Sequence, residues 1–348
     1  MASPEREGTL TSSVFSSHNI DILSEIIVIK ADKDFKSGKF IVEYTIKCDS
    51  GGKQIPLLFY AQDYRDSFSV WVDNKNTAVK NIPWMYTHFE DSPFSDFKGS
   101  VTGRSKNSGS DEVTIYWTRN VGHVYTVDDL KYFEIDLKTG IHKIRVEYTA
   151  DAWINKEGWI KEYSFRYSLS PAKYWKSFGS LKIILEQEDT VRQLETNLGL
   201  PDQRKFAGIS TWTFNKLPDE YFKISYFPDP GKSAQFFISL GPSGLSLIAL
   251  VILFVLHFKL VLAAIKKRQR ILYLIVLNSG IFLVPFLVLL IYMLSFGFID
   301  FLIGKEAGNH HGYVFLVFVF YPLIVPVYWF VFKTIKKYGI SDEIGAGK

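Results

Sequence analysis

Cysteine is almost missing: Cys48 is the single one in 348 residues. One thiol excludes an intrachain disulfide, a CxxC redox pair and a cysteine-built zinc cage. Cys48 ends an alternating apolar pattern, where a core thiol is a better reading than a nucleophile. The common catalytic fingerprints are missing as well. No G-x-S-x-G, phosphate loop, dinucleotide glycine pattern, HExxH or calcium loop is present. These absences weigh against the usual enzyme classes, and they imply no cofactor. The first 235 residues carry no basic stripe with interleaved aromatics, so no nucleic-acid partner is expected.

Formal charge also disappears from long stretches near the C-terminus. Ser239 to Phe258 is apolar and continues to Ile265, interrupted by Lys259. Ile271 to Ile299 has no formal charge at all, and Tyr313 to Phe332 has none either. Each meets the roughly 20 residues needed to cross a hydrocarbon core about 30 Å thick. The expected spans are 239–265, 271–299 and 313–332, making the lipid bilayer the first partner. Pro285, Pro322 and Pro326 fall inside the spans, where kinks are expected.

The charge that is present borders these runs. The net charge is +4, but Phe236 onward holds ten Lys and Arg against four acids, leaving the earlier part slightly negative. Lys266, Lys267, Arg268 and Arg270 separate the first two spans, and Lys333, Lys336 and Lys337 follow the third. The 300–312 link has one lysine and two acids. Short loops rich in Lys and Arg face the cytoplasm. Both basic segments should lie inside, with the 300–312 link and residues 1–235 outside. An exported domain of that size needs a leader, and MASPEREGTLTSSV has no basic segment followed by an apolar one. The expectation is a cleaved leader ahead of these residues, or a different start.

Polar groups inside the spans are few. Asn278 fits an interhelical hydrogen bond. His257 and Lys259 lie near the inner end of the first span, where they can reach the interface. The three spans hold too little polar content for an ion path unless subunits assemble.

Residues 20–230 read as β. KFIVEYTIKC puts Phe40, Val42, Tyr44, Ile46 and Cys48 on one face. HKIRVEYT does the same with Ile144, Val146 and Tyr148, EYSFRYSL with Tyr163, Phe165, Tyr167 and Leu169, and SLKIILEQE with Leu181, Ile183 and Leu185. Alternation of period two marks strands with one buried face, and turn signals at this spacing suggest an antiparallel β-sandwich. A short helix is expected at Glu188 to Gly199. The organisation is then a flexible 1–19, a mainly β extracytoplasmic domain at 20–230, a linker at 231–238, an all-α bundle of three transmembrane helices, and a cytoplasmic tail at 333–348.

Two stretches, NIDILSEIIVIKADKDFKSGKFIVEYTIKCDSGGKQIPLLF and KEYSFRYSLSPAKYWKSFGSLKIIL, carry a resemblance. A paired-strand opening is followed later by an aromatic strand, a proline turn, a Trp and a further strand. This resembles uncharacterised bacterial exported β-domain membrane proteins over about a third of the chain. The resemblance implies a bacterial envelope location and brings no catalytic residues.

Two clusters carry chemistry. WMYTHFEDSPFSDFKG breaks the alternation and gathers Trp84, Tyr86 and His88 with Glu90, Asp91 and Asp96. Aromatics beside carboxylates in a long loop suit a sugar, a peptide or a cation, though the same rings can simply cap one end of the sandwich. GNHHG places His310 and His311 near Asp300 and Glu306. Adjacent histidines point apart and spacing fixes no third ligand, so these are weak metal candidates. The reading is a bacterial inner-membrane protein with a binding or accessory role, a membrane or envelope protein partner and an unidentified ligand. A subunit of an oligomeric transporter or channel, and an envelope enzyme with a site in 84–99, are the alternatives.

Overall fold

The computed structural model describes residues 2–3, 20–49, 51–60, 64–80, 101–104, 111–118, 121–126, 130–169, 176–187, 194–204, 206, 208–218, 221–268, 270–308 and 311–345. They divide into two units. One comprises Met1–Ile154 and Glu162–Phe227, the other Asn155–Lys161 and Pro228–Lys348.

The first unit is built of strands. These are β1 (Ala2–Ser3), β2 (Ile20–Ala31), β3 (Ser37–Cys48), β4 (Gly52–Tyr60), β5 (Tyr64–Val72), β6 (Lys75–Thr77), β7 (Val79–Lys80), β8 (Val101–Arg104) and β9 (Asp111–Thr118). They continue with β10 (Val121–Thr126), β11 (Leu130–Leu137), β12 (Gly140–Asp151), β13 (Trp153–Asn155), β14 (Glu162–Ser168), β15 (Ser177–Glu186), β16 (Leu194–Thr196), β17 (Ile209–Phe214) and β18 (Tyr221–Tyr226). The largest sheet has seven strands in the order β17-β15-β2-β3-β12-β5-β6. Two sheets have four, β1-β4-β11-β7 and β13-β14-β18-β16, and one has three, β10-β9-β8. In the seven-stranded sheet pairing is antiparallel except that β15 runs parallel to β2.

The alternation in sequence becomes one buried face. Phe40, Val42, Tyr44, Ile46 and Cys48 of β3 and Ile144, Val146 and Tyr148 of β12 enter a single core. The same core takes Phe133, Ile135 and Leu137 from β11, Tyr163, Phe165 and Tyr167 from β14, and Phe222 and Ile224 from β18. Two layers closing on one core make a sandwich. Ring packing holds it: Phe40 stacks on Tyr148 at 5.0 Å and Phe35 meets Phe165 at 4.6 Å. Burying each such side chain contributes about 1.5–3 kcal/mol.

Strand β2 departs from simple alternation. Ile20 and Ile22 are buried, Leu23 is exposed, and the buried row then resumes at Glu25, Ile27 and Ile29. The pairing with β3 skips one residue between Ile22 and Ser24, a β-bulge that reverses which residues face inward. On the neighbouring strand Phe178 packs on the core and the row resumes at Leu181, so both strands change phase at the same level. Gly179 is what permits this. A Cβ there would lie 2.2 Å from the Leu23 carbonyl oxygen.

One expectation is corrected in this unit. Within Glu188 to Gly199, residues Leu194–Thr196 are a strand rather than helix, paired antiparallel with β18. The free edge of β18 supplies hydrogen bonds that an isolated short helix would lack.

The second unit holds α1 (Lys232–Lys266), α2 (Arg270–Ile303) and α3 (Tyr321–Gly345). Helices over Lys232–Lys266, Arg270–Glu306 and Val314–Ile335 are long and apolar enough to cross a membrane. Their outer faces are bare hydrocarbon, with Val251, Ile252, Leu283 and Leu323 exposed. Residues 232–238, expected as linker, are helical, and the break comes later. Gly241 leaves helical geometry at φ 61, ψ 175 just before Pro242, whose ring lacks the N–H a continuous helix requires. By contrast α2 runs through Pro285 as one helix. Pro322 falls in the first turn of α3 after a 3-10 stretch at Val314–Phe320, where a missing N–H costs little.

Lys266, Lys267 and Arg268 close α1, and Arg270 opens α2. The Lys267 and Arg268 N–H groups donate to the carbonyls of Ala263 and Ile265, and Arg268 takes φ 55. This is a left-handed helix ending, so the basic cluster is a tight helical hairpin.

Candidate functional site

Trp84, Tyr86, His88, Glu90, Asp91 and Asp96 lie outside the described residues, as does His310. Among the described residues, three groupings bear on a functional site.

The first is in the helical unit, where the 304–312 link meets the segment Asn155–Lys161. Ile160 and Ala307 form an antiparallel bridge. Gly308 N–H donates to the Trp159 carbonyl at 2.9 Å, and Lys161 N–H to the Glu306 carbonyl at 2.9 Å. A Cβ at Gly308 would lie 2.0 Å from the Gly158 carbonyl oxygen, so the first glycine of GNHHG is needed for this approach. Trp159 stacks on Phe296 of α2 at 5.5 Å, and His311 sits against both rings, 5.6 Å from Trp159 and 5.0 Å from Phe296. His311 Nε2 bonds Asp300 Oδ2 near the end of α2. The other carboxylate oxygen, Asp300 Oδ1, is buried with no hydrogen-bond partner among the described residues. A carboxylate bonded to an imidazole fixes its tautomer and the orientation of its ring. No group of three His, Cys, Asp or Glu side chains suited to a metal exists among the described residues.

The second place is inside the spans. His257 is 4% exposed, so it does not reach for the interface as its position suggested. Its Nδ1 pairs with the Tyr328 hydroxyl of α3 at 2.9 Å, and its ring stacks on Phe332 at 4.3 Å. Gly280 of α2 makes the room. A Cβ there would fall 2.2 Å from His257 Nε2. Asn278, two residues earlier, is exposed. It lines a groove of about 390 Å³ with Ile281, Phe282, Val325, Pro326 and Trp329. No hydrogen bond of its side chain to a described residue exists, so the interhelical bond expected for it does not form among them.

The third place is the β core. The bulge in β2 turns Glu25 inward, where it is 2% exposed. The Tyr167 hydroxyl of β14 donates to Glu25 Oε1 at 3.1 Å, and the Tyr44 and Tyr167 hydroxyls are 3.0 Å apart. Burial pushes the Glu25 carboxyl up to about 7, against the pull of its bonds with Tyr44 and Tyr167. Burial, with the Glu25 charge nearby, also raises Tyr148. Glu25, Gly280, Tyr328 and Trp159 escape sequence reasoning because each acquires its role from a partner distant in the chain. The one local signal was an acid set among four aliphatic residues in SEIIVI.

No family model and no curated protein matches the chain. Among solved structures it is similar to a candidate nutrient-binding protein of Legionella pneumophila, 12% identical over 81% of this chain and 82% of that one, TM-score 0.43. It is similar to an M1 zinc metallopeptidase of Deinococcus radiodurans, 8% identical over 61% of this chain and 43% of that one, TM-score 0.31. A third is leukotriene A4 hydrolase of Saccharomyces cerevisiae, 8% identical over 64% of this chain and 32% of that one, TM-score 0.33. The chain spans less than half of either enzyme. Likenesses this distant carry no argument about activity.

Proposed function

We propose that this chain is a membrane-anchored binding or accessory protein. It holds its β unit at the outer face of a bacterial inner membrane and acts with a membrane or envelope protein partner. The observation that carries this reading is the bridge between Ile160 and Ala307. The segment Asn155–Lys161 is joined by peptide bonds at both ends to strands of the β unit. Its pairing with the 304–308 link supports placing that link and the β unit on one side of the bilayer. The Lys266–Arg270 hairpin is separated from the link by all of α2, and Lys333 and Lys337 by the third span. The lysine and arginine bias of these loops supports the cytoplasm for the basic side. The hydrogen bonds support the link and the β unit sharing a side, and the charge bias supports which side that is.

Fusions test the orientation. Alkaline phosphatase placed after Glu306 is expected to be active and placed after Arg270 inactive; the reverse pattern would overturn it. Crosslinking of native membranes followed by mass spectrometry tests the role. Reproducible links from the β unit to one other membrane protein are expected, and links within this chain alone would count against an accessory subunit.

A further inference from the structure

The groove between α2 and the third span combines features that an ordinary lipid-facing surface lacks. Asn278 presents an exposed amide to it, and an unpaired amide facing hydrocarbon is costly. Trp329 lines the same groove, and Lys333 Nζ lies 4.9 Å from the centre of its ring. The remaining walls, Ile281, Phe282, Val325 and Pro326, are apolar.

Depth decides what can meet the amide. With 34 residues, α2 is about 50 Å long, and the hydrocarbon core is about 30 Å thick. The excess puts roughly the last 10 Å of each end in the headgroup and ester region. Asn278 is eight residues from Arg270, about 12 Å along the axis. Its amide therefore stands at the level where the ester carbonyls of a phospholipid begin. Above it, at the groove's mouth, are Lys333 and the basic end of the helices. A partner helix would have to bring an acceptor of its own to this depth and tolerate the cations. A lipid already has ester acceptors, an acyl chain for the apolar walls and, if anionic, a phosphate for the lysine.

We propose that this groove is a binding site for one anionic phospholipid of the leaflet at the basic end. The acyl chain lies along Phe282, Val325 and Pro326, the ester region accepts from the Asn278 amide, and the phosphate pairs with Lys333. Trp329, an amphipathic ring at an interface, separates chain from headgroup. The inference needs the helices in a bilayer but does not depend on which side the β unit occupies, so it stands or falls separately from the proposed function.

Quenching of Trp329 by brominated lipid tests it. Full-length protein is placed in phosphatidylcholine vesicles holding equal minor fractions of either dibrominated phosphatidylglycerol or dibrominated phosphatidylcholine. The difference between wild type and Trp329→Phe isolates this tryptophan from the other seven. Brominated phosphatidylglycerol is expected to occupy the groove about fivefold more than its choline counterpart, matching the ~1 kcal/mol that a lysine near an anionic surface contributes. Lys333→Gln should reduce that preference, whereas Asn278→Leu, which removes a contact both lipids make, should leave it in place, with thermal unfolding confirming that the variants fold. Equal quenching in the wild type would reduce the groove to bulk lipid and overturn the proposal. So would a Trp329 shielded from both lipids, the mark of a second chain in the groove, or a preference indifferent to Lys333→Gln.

Discussion

Glu25 is a carboxyl set among aliphatic and aromatic side chains, bonded to Tyr167 and close to Tyr44. Burial holds it at about 7 when folded, against the 4.5 of an ordinary glutamate. Between those values the native chain binds more protons than the unfolded one, so stability falls as pH rises through this window. The loss attributable to this residue is about 3 kcal/mol. His142 contributes in the same direction. Burial lowers it, but its bonds to Asp73 and the Lys138 carbonyl outweigh that and leave it raised, so its contribution is also lost as pH rises. Thermal unfolding of wild type and Glu25→Gln across pH 4 to 8 separates the two. The wild type is expected to fall behind the variant progressively as pH rises, and parallel curves would refute the assignment. At this scale the sequence was partly legible. The inward rows of β3 and β12 could be read because lysine, arginine and glutamate mark their outer faces. His257 could not, because its burial depends on Gly280 opening a notch in a different helix.

At the scale of elements, β2 shows why period-two reading has a limit. Ile26, Ile27, Val28 and Ile29 offer apolar side chains to both faces, so composition does not choose the phase. The choice comes from the bulge at Leu23, which only the glycine of the adjoining strand can accommodate. Gly179→Ala is therefore expected to cost about 1–3 kcal/mol, the usual range for an overpacked site. Gly297→Ala is the comparison, since an added methyl there meets nothing within 4 Å. Equal melting temperatures for the two variants would show that the strand relaxes without loss. The helices were more legible than the strands, since length and apolarity alone define a span. The start of α1 was not. Residues 231–238 read as linker, yet the helix begins at Lys232 and its break waits for Gly241.

At the scale of the whole molecule, the sequence indicated two kinds of structure and their order along the chain. It gave no sign that Asn155–Lys161, lying between two strands, belongs with the helices. That assignment rests on backbone pairing with a link some 140 residues later, which local patterns do not report. Ile160 and Ala307 form the non-hydrogen-bonded type of antiparallel pair, flanked by the bonds of Lys161 and Gly308. Side chains are closest in such pairs, within the reach of a disulfide. In a Cys48→Ser background, Ile160→Cys with Ala307→Cys is expected to oxidise spontaneously in cells if this face lies in an oxidising compartment. A pair that stays reduced in cells but closes with added oxidant would support the pairing and contradict the outward orientation.

The paired change of phase in β2 and β15 also constrains descent. A residue added at Leu23 without room at Gly179 breaks the parallel pairing, and a larger residue at Gly179 without loss of the bulge collides with backbone. Neither position is free to drift alone. Relatives of this chain should therefore keep the extra residue and the glycine together or lose them together, a covariation between sites far apart in sequence that would mark shared ancestry even where overall identity has faded.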